Sequence, residues 1–175
     1  MPTKRRASTA TKQFEDIVTN FRKRAFIARD FDAIQETVTE DFVDHFAPPW
    51  DPPGVAGVRQ RFSQAANSFH TLQVEIVKSM SKGRFLTQAI KIHLRHVGEF
   101  MGIEPTGKEI AIAGFDMFEF REGKIAGHWG VYDVTRIPDL LGQMPPPSDE
   151  WKAPRWSEMW NGGEYRGAGG TPSER

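Results

Sequence analysis

The sequence puts a carboxylate where ionisation is costly. Asp116 shares the parity of Ile110, Ile112, Phe118 and Phe120 in an alternating run, so its carboxyl group is expected among apolar side chains. Burial raises a carboxyl pKa, which suits a general base. A carboxylate next to the imidazole of His128 would orient it and make it more basic. Tyr132, on the parity of His128, could donate a hydrogen bond to a developing enolate or phenolate oxygen. His45 closes the pair Asp44-His45 and could reach over a cavity mouth, while His96 falls on the parity of Ile92 and Leu94. Each residue also has a structural reading. Asp116 and His128 could simply neutralise one another, His45 could anchor a loop, His96 could be a buried core histidine, and Tyr132 could fill the core. His96 and Glu99 are three apart with no third helical ligand, so no metal site is expected.

These side chains need elements to position them. Phe14, Ile17, Val18, Phe21 and Ala25 recur at helical spacing from about Thr11 to Ala28. Asp30 and Asp32 can cap a second, shorter helix through about Val38. Pro48, Pro49, Pro52 and Pro53 then exclude regular structure. Phe46 and Trp50 in this stretch are candidates to cap a pocket. A third helix is predicted from about Val55 to Phe69, after which the period changes to two. Leu72, Val74 and Ile76 mark one strand, and Phe85 to His96 a longer one with Ile90, Ile92 and Leu94 on the core face. Ile110 to Phe120 forms the next, Arg121-Glu122-Gly123 reads as a three-residue hairpin loop, and Lys124 to about Val134 returns. Pairing Phe120 with Lys124 sets Asp116 opposite His128 and puts both on one face with Gly130 and Tyr132.

Helices followed by an antiparallel meander predict an α+β domain with helices on one face of a curved sheet. The domain is expected over residues 11–142, after a flexible basic arm at 1–10. A Pro- and Gly-rich tail follows at 143–175, where Trp151, Trp156 and Trp160 suggest packing on its own or a neighbouring subunit. The chain has 175 residues, 38% hydrophobic, with 23 basic and 23 acidic side chains. A formal charge of zero argues against a nucleic-acid partner, and the apolar runs are too short for a membrane partner. The absence of cysteine excludes disulfides and thiol chemistry, and together with the lack of a secretory leader pattern suggests a cytoplasmic protein.

Four ordered segments carry a resemblance: Asp41-Phe42-Val43-Asp44-His45; the run from His96 to Lys108; Gly114-Phe115-Asp116-Met117-Phe118-Glu119-Phe120; and Glu122-Gly123-Lys124-Ile125 with His128-Trp129. Over about residues 11–142 they resemble the SnoaL-like polyketide cyclases of the NTF2-like superfamily. The resemblance implies a cone-shaped curved antiparallel sheet, with N-terminal helices enclosing a hydrophobic cavity. It also implies no metal and no organic cofactor, a hydrophobic small-molecule substrate, and a homodimer or higher homo-oligomer. Within this family an Asp on the last strand, directly after His-Trp, moves a proton during intramolecular aldol condensation. Here that position is Gly130.

The expected site is therefore Asp116, His128, His45 and Tyr132 for catalysis, with His96, Trp50, Phe46, Phe118 and Ile92 around the substrate. The expected function is a cofactor-independent aldol-type cyclase or isomerase of secondary metabolism. The alternatives are a formaldehyde-releasing retro-aldol C-C lyase on aryl-propanoid diols, a dehydratase, or a non-catalytic small-molecule-binding protein of the same fold.

Overall fold

A computed structural model describes residues 9–142, with side chains from 11 onward. Of the expected arm at 1–10, residues 1–8 lie outside the described residues, as does the tryptophan-bearing tail, while Thr9 and Ala10 already belong to the first helix.

Helix α1 (Thr9–Arg22) forms where Phe14, Ile17, Val18 and Phe21 return to one face, and Phe14 stacks on Phe120 with ring centroids 4.0 Å apart. It runs into a π-helical turn (Lys23–Ile27), closed by the Ala28 N–H donating to the Lys23 carbonyl at 2.9 Å. Helix α2 (Asp32–Thr37) buries Ala33 and Ile34, and helix α3 (Gly54–Ser68) follows the proline-rich loop.

Five strands make one curved, unclosed sheet in the order β1-β5-β4-β3-β2. They are β1 (Val38–Asp44), β2 (Phe69–Lys82), β3 (Phe85–His96), β4 (Glu109–Arg121) and β5 (Lys124–Tyr132). The sheet is antiparallel except that β1 pairs in parallel with β5. A short 3-10 turn (Val134–Arg136) and helix α4 (Ile137–Leu140) follow.

Three differences from the sequence reading have physical causes. Val38 opens a strand instead of closing a helix, and β1 shows no clear alternation in the sequence because Thr39, Glu40 and Asp41 form a polar run between buried Val38 and Phe42. Strand β2 begins at Phe69, which the sequence assigned to the end of the third helix, and runs past Ile76 through two bulges. The β4–β5 turn has two residues: Arg121 pairs with Lys124, while Glu122 and Gly123 take the positive φ values of a type I′ turn, 52° and 77°.

A bulge beyond that turn leaves Ala126 unpaired between Glu119↔Gly127 and Phe120↔Ile125. Asp116 therefore stands opposite Gly130, and Phe118 opposite His128. Turn and bulge each shift the register by one, so the expected set of Asp116, His128, Gly130 and Tyr132 still shares one face. One apolar cluster joins α1 and α2 to Leu86, Phe118 and Phe120; a second gathers Phe69, Ile90, Ile92 and Leu94 with Ile137 and Leu141.

Candidate active site

Gln88, Asp116 and Gly130 stand in register across β3, β4 and β5 on the concave face. His128 belongs to the adjoining row on one side, opposite Phe118, and Tyr132 to the row on the other, opposite Gly114. Both side chains lean over Gly130 toward the same carboxylate. His128 Nε2 lies 3.1 Å from Asp116 Oδ1, and the Tyr132 hydroxyl donates to that oxygen at 2.5 Å. They occupy the space that a side chain at 130 would fill. A Cβ there would fall 2.6 Å from His128 Cε1, 2.8 Å from Nε2 and 3.1 Å from the Tyr132 hydroxyl oxygen. Gly114 clears the tyrosine ring in the same way, since a Cβ on it would meet Tyr132 Cδ1 at 2.5 Å.

The counter-charge comes from the helical layer. Arg22, buried at the end of α1, donates to Asp116 Oδ2 at 2.6 Å and to Gln88 Oε1 at 2.6 Å. Its place on the helix could have revealed it. Arg22 falls one turn after Val18 and beside Phe21, on the apolar stripe, and an arginine buried there demands a buried acid.

On the other side of the imidazole, His128 Nδ1 lies 3.2 Å from Asp44 Oδ1. Asp44 is set there by β1, which places it in register with His128. Its second oxygen accepts from Arg61 on α3, which also binds Asp51. A line of alternating charge thus runs Arg22, Asp116, His128, Asp44, Arg61, Asp51. Asp44 was legible in principle, because it shares the parity of buried Phe42 and its neighbour His45 does not.

This line governs ionisation. Burial alone would raise the Asp116 pKa, as the sequence suggested. The His128 hydrogen bond, the Arg22 charge and the Tyr132 hydroxyl outweigh it and hold the carboxyl below its ordinary range. Asp44 is likewise lowered: burial opposes ionisation, and His128 and Arg61 overcome it. For His128 burial favours the neutral ring, but hydrogen bonds and charge from Asp116 and Asp44 push its pKa up to about 9. Burial and the Asp116 charge raise the Tyr132 pKa well above its ordinary value, so its hydroxyl stays neutral. At neutral pH the site holds an imidazolium between two carboxylates, and the predicted high-pKa aspartate at 116 is corrected to a clamped anion.

A cavity of about 370 Å³ opens beside these groups. Phe21, Phe42, Val58, Phe62 and Ile125 give it apolar walls, while Asp44, Arg61, His128 and Tyr132 form its polar end. Of the residues expected around the substrate, Phe46 and Phe118 line this cavity. Five candidates do not line it. Asp116 is buried behind His128 and Tyr132, so it does not face the substrate space. His45 stacks on Trp129 at 3.9 Å, because strand alternation turns it away from the face of Asp44. Trp50 is 81% exposed in the proline-rich loop, whose backbone holds it off the cavity. Ile92 lines a second cavity, as its position along β3 dictates. His96 is fully buried at the far end of β3, where its Nδ1 accepts from the Thr106 N–H at 3.2 Å and its Nε2 has no partner among the described residues. Among the described residues no three His, Asp or Glu side chains are grouped to hold a metal ion, and no helix is long and apolar enough to cross a membrane.

A cone-like α+β domain whose concave face carries acid–base side chains in an apolar cavity defines the NTF2-like class. The profile of the SnoaL-like polyketide cyclases matches residues 8–138, and the chain belongs to that family. It is 26% identical over 146 residues to aklanonic acid methyl ester cyclase AcmA of Streptomyces galilaeus, covering 74% of this chain and 96% of that protein. The fold is similar to that of TsrD from Streptomyces laurentii, with a TM-score of 0.66 and 19% identity over 79% of this chain and all of the other. A SnoaL-like polyketide cyclase from Agrobacterium tumefaciens superposes with a TM-score of 0.57 and 18% identity, over 78% of this chain and 100% of its own.

Proposed function

We propose that the protein is a cofactor-independent acid–base enzyme that closes a ring in a polyketide-derived ketone or keto ester by intramolecular aldol addition. The observation that carries this reading is the His128 imidazole held between the Asp44 and Asp116 carboxylates at the polar end of an apolar cavity. The bond from His128 to Asp44 is long, and Asp44 lies on the cavity wall, so a substrate carbonyl oxygen can take its place at Nδ1.

In this reading the Asp44 carboxylate removes the proton from the carbon next to that carbonyl while His128 gives its Nδ1 proton to the oxygen, leaving an enol. The enol carbon attacks a second carbonyl of the same molecule, forming the new C–C bond. The enol proton returns to His128, and Asp44 passes its proton to the new alkoxide. Product and substrate have equal mass. Asp116 and Arg22 fix the ring and its charge from behind, and Tyr132 completes the coordination of Asp116.

The test is mass-resolved incubation, with no cofactor added, of the wild type, Asp44→Asn and His128→Gln with a panel of aromatic polyketide keto esters and aryl-propanoid alcohols. Aklanonic acid methyl ester, the compound named for the relative AcmA, is one member. A mass-neutral cyclic product that both substitutions slow by about 10²- to 10⁴-fold is the expected result. Loss of formaldehyde would instead assign a retro-aldol lyase, and loss of water a dehydratase. Equal conversion by wild type and variants, or tight binding without turnover, overturns the reading.

A further inference from the structure

Behind the reactive cavity lies a second one, of about 170 Å³, that the proposed chemistry does not use. Phe26, Phe62 and Val134 line both cavities, so the two share a wall. The Phe26 and Phe62 rings lie 4.4 Å apart and tilted, and Phe21 meets both at 6.2 Å. Phe26 sits on the π-helical turn that ends α1, an irregularity found often at functional sites. Both rings are only half-buried, since each borders empty space on the cavity side.

The lining of the second cavity is apolar. Phe69, Leu94, Phe100, Ile112 and Ile137 are among its walls, and among the described lining residues Thr71 alone is polar. Such a chamber rewards a hydrocarbon and penalises any charged or hydroxylated group, which would lose its water without a partner.

We infer that the second chamber is a subsite for a hydrocarbon arm of the substrate, an alkyl or alicyclic appendage on the oxygenated skeleton that reacts beside His128. The inference rests on the acid–base reading of the first chamber, which supplies the oxygenated end. Phe26 and Phe62, whose rings touch at the shared wall, then act as specificity residues that must part to admit an arm and direct the polar end toward Asp44. The substrate class is thereby narrowed to compounds with oxygens at one end and an unsubstituted carbon chain or ring at the other.

The experiment uses the full chain and 4-n-alkylphenols from methyl to hexyl, with affinities from isothermal titration calorimetry. The phenol oxygen stands in for the substrate carbonyl oxygen. Each methylene that enters the chamber should tighten binding by about fourfold, with a plateau once it is full. Ala66→Phe, which projects a ring into the second chamber from α3, should collapse the hexyl-to-methyl affinity ratio toward one. His128→Gln should weaken every member by the same factor and leave the ratio intact. Unchanged binding in His128→Gln together with a collapsed ratio in Ala66→Phe would refute the acid–base reading and leave the subsite standing. A flat wild-type series, or a ratio that survives Ala66→Phe, overturns the subsite. Should Ala66→Phe not fold, crystals soaked with 4-(4-bromobutyl)phenol decide the matter: anomalous signal between Phe69, Leu94 and Ile112 is expected, and bromine at the solvent mouth overturns the inference.

Discussion

Replacing Gly130 with alanine adds one carbon at the point where the His128 and Tyr132 side chains lean together over the sheet. The new Cβ would sit 2.6 Å from His128 Cε1, about 0.8 Å short of ordinary contact, and 2.8 Å from Nε2. Gly130 does not have a positive φ, so the backbone accepts alanine and the imidazole must yield. A ring displaced by that amount stretches the 3.1 Å contact with Asp116 beyond hydrogen-bonding range. His128 then keeps Asp44 but loses the first of the two carboxylates that push its pKa up to about 9. Loss of one strong partner is worth at least about one pKa unit, or roughly 1.4 kcal/mol between protonation states. The assay is an NMR titration of the His128 Cε1 proton in wild type and Gly130→Ala. The midpoint should fall by about one unit or more toward the free imidazole value. An unchanged midpoint with the fold intact would refute the claim that glycine at 130 is what lets the histidine reach Asp116. The same steric reasoning holds for Gly130→Asp: restoring the family's carboxylate would displace His128 and should not raise activity.

Arg22→Met removes one of the three groups that hold the Asp116 carboxylate, leaving His128 and Tyr132, and should destabilise the protein by about 1.5 to 3 kcal/mol in urea unfolding at neutral pH. The loss should shrink as pH falls through the carboxylate range and Asp116 takes up a proton; a loss independent of pH would contradict the pairing. His128 has a folded pKa of about 9 against an unfolded value of about 6.5, so its stabilising contribution is fully present below about pH 6.5 and disappears as pH rises through about 9. The stability difference between wild type and His128→Asn should therefore decline by about 3 kcal/mol between about pH 6 and pH 10, and a flat difference would refute the raised pKa. Gly57→Ala would set a Cβ 2.1 Å from the Pro52 carbonyl oxygen, forcing α3 away from the loop that carries Asp51. It should lower the melting temperature and loosen the Arg61–Asp51 pair, visible as faster amide exchange at Asp51, whose N–H bonds to the Pro48 carbonyl.

What the sequence made legible followed from periodicity. Strands β3 and β4 alternate cleanly, which puts Asp116 on the inward face; the β5 set of His128, Gly130 and Tyr132 follows from the turn, and two one-residue shifts that cancel in parity keep it there. Strand β1 is hard to read because the polar run Thr39-Glu40-Asp41 interrupts its alternation, so the parity of Phe42 that separates Asp44 from His45 stands out only once the strand is known. Arg22 and Asp44 reach their partners over 94 and 84 residues of chain, separations that no local pattern reports. The direction of the Asp116 pKa was misread for the same reason. Burial is visible in an apolar run, whereas the arginine that reverses its effect arrives from another element. Gly130 is where the two levels diverge most. Beside the family's His-Trp-Asp pattern it marks a missing carboxylate. In the sheet it stands in register with Asp116, so a carboxylate is present one strand over, and the absence of a side chain at 130 gives the imidazole its path to it. A glycine on β5 and an aspartate on β4 together hold a histidine of raised pKa against Asp44, the carboxylate on the cavity wall to which the proposed mechanism gives the proton transfer.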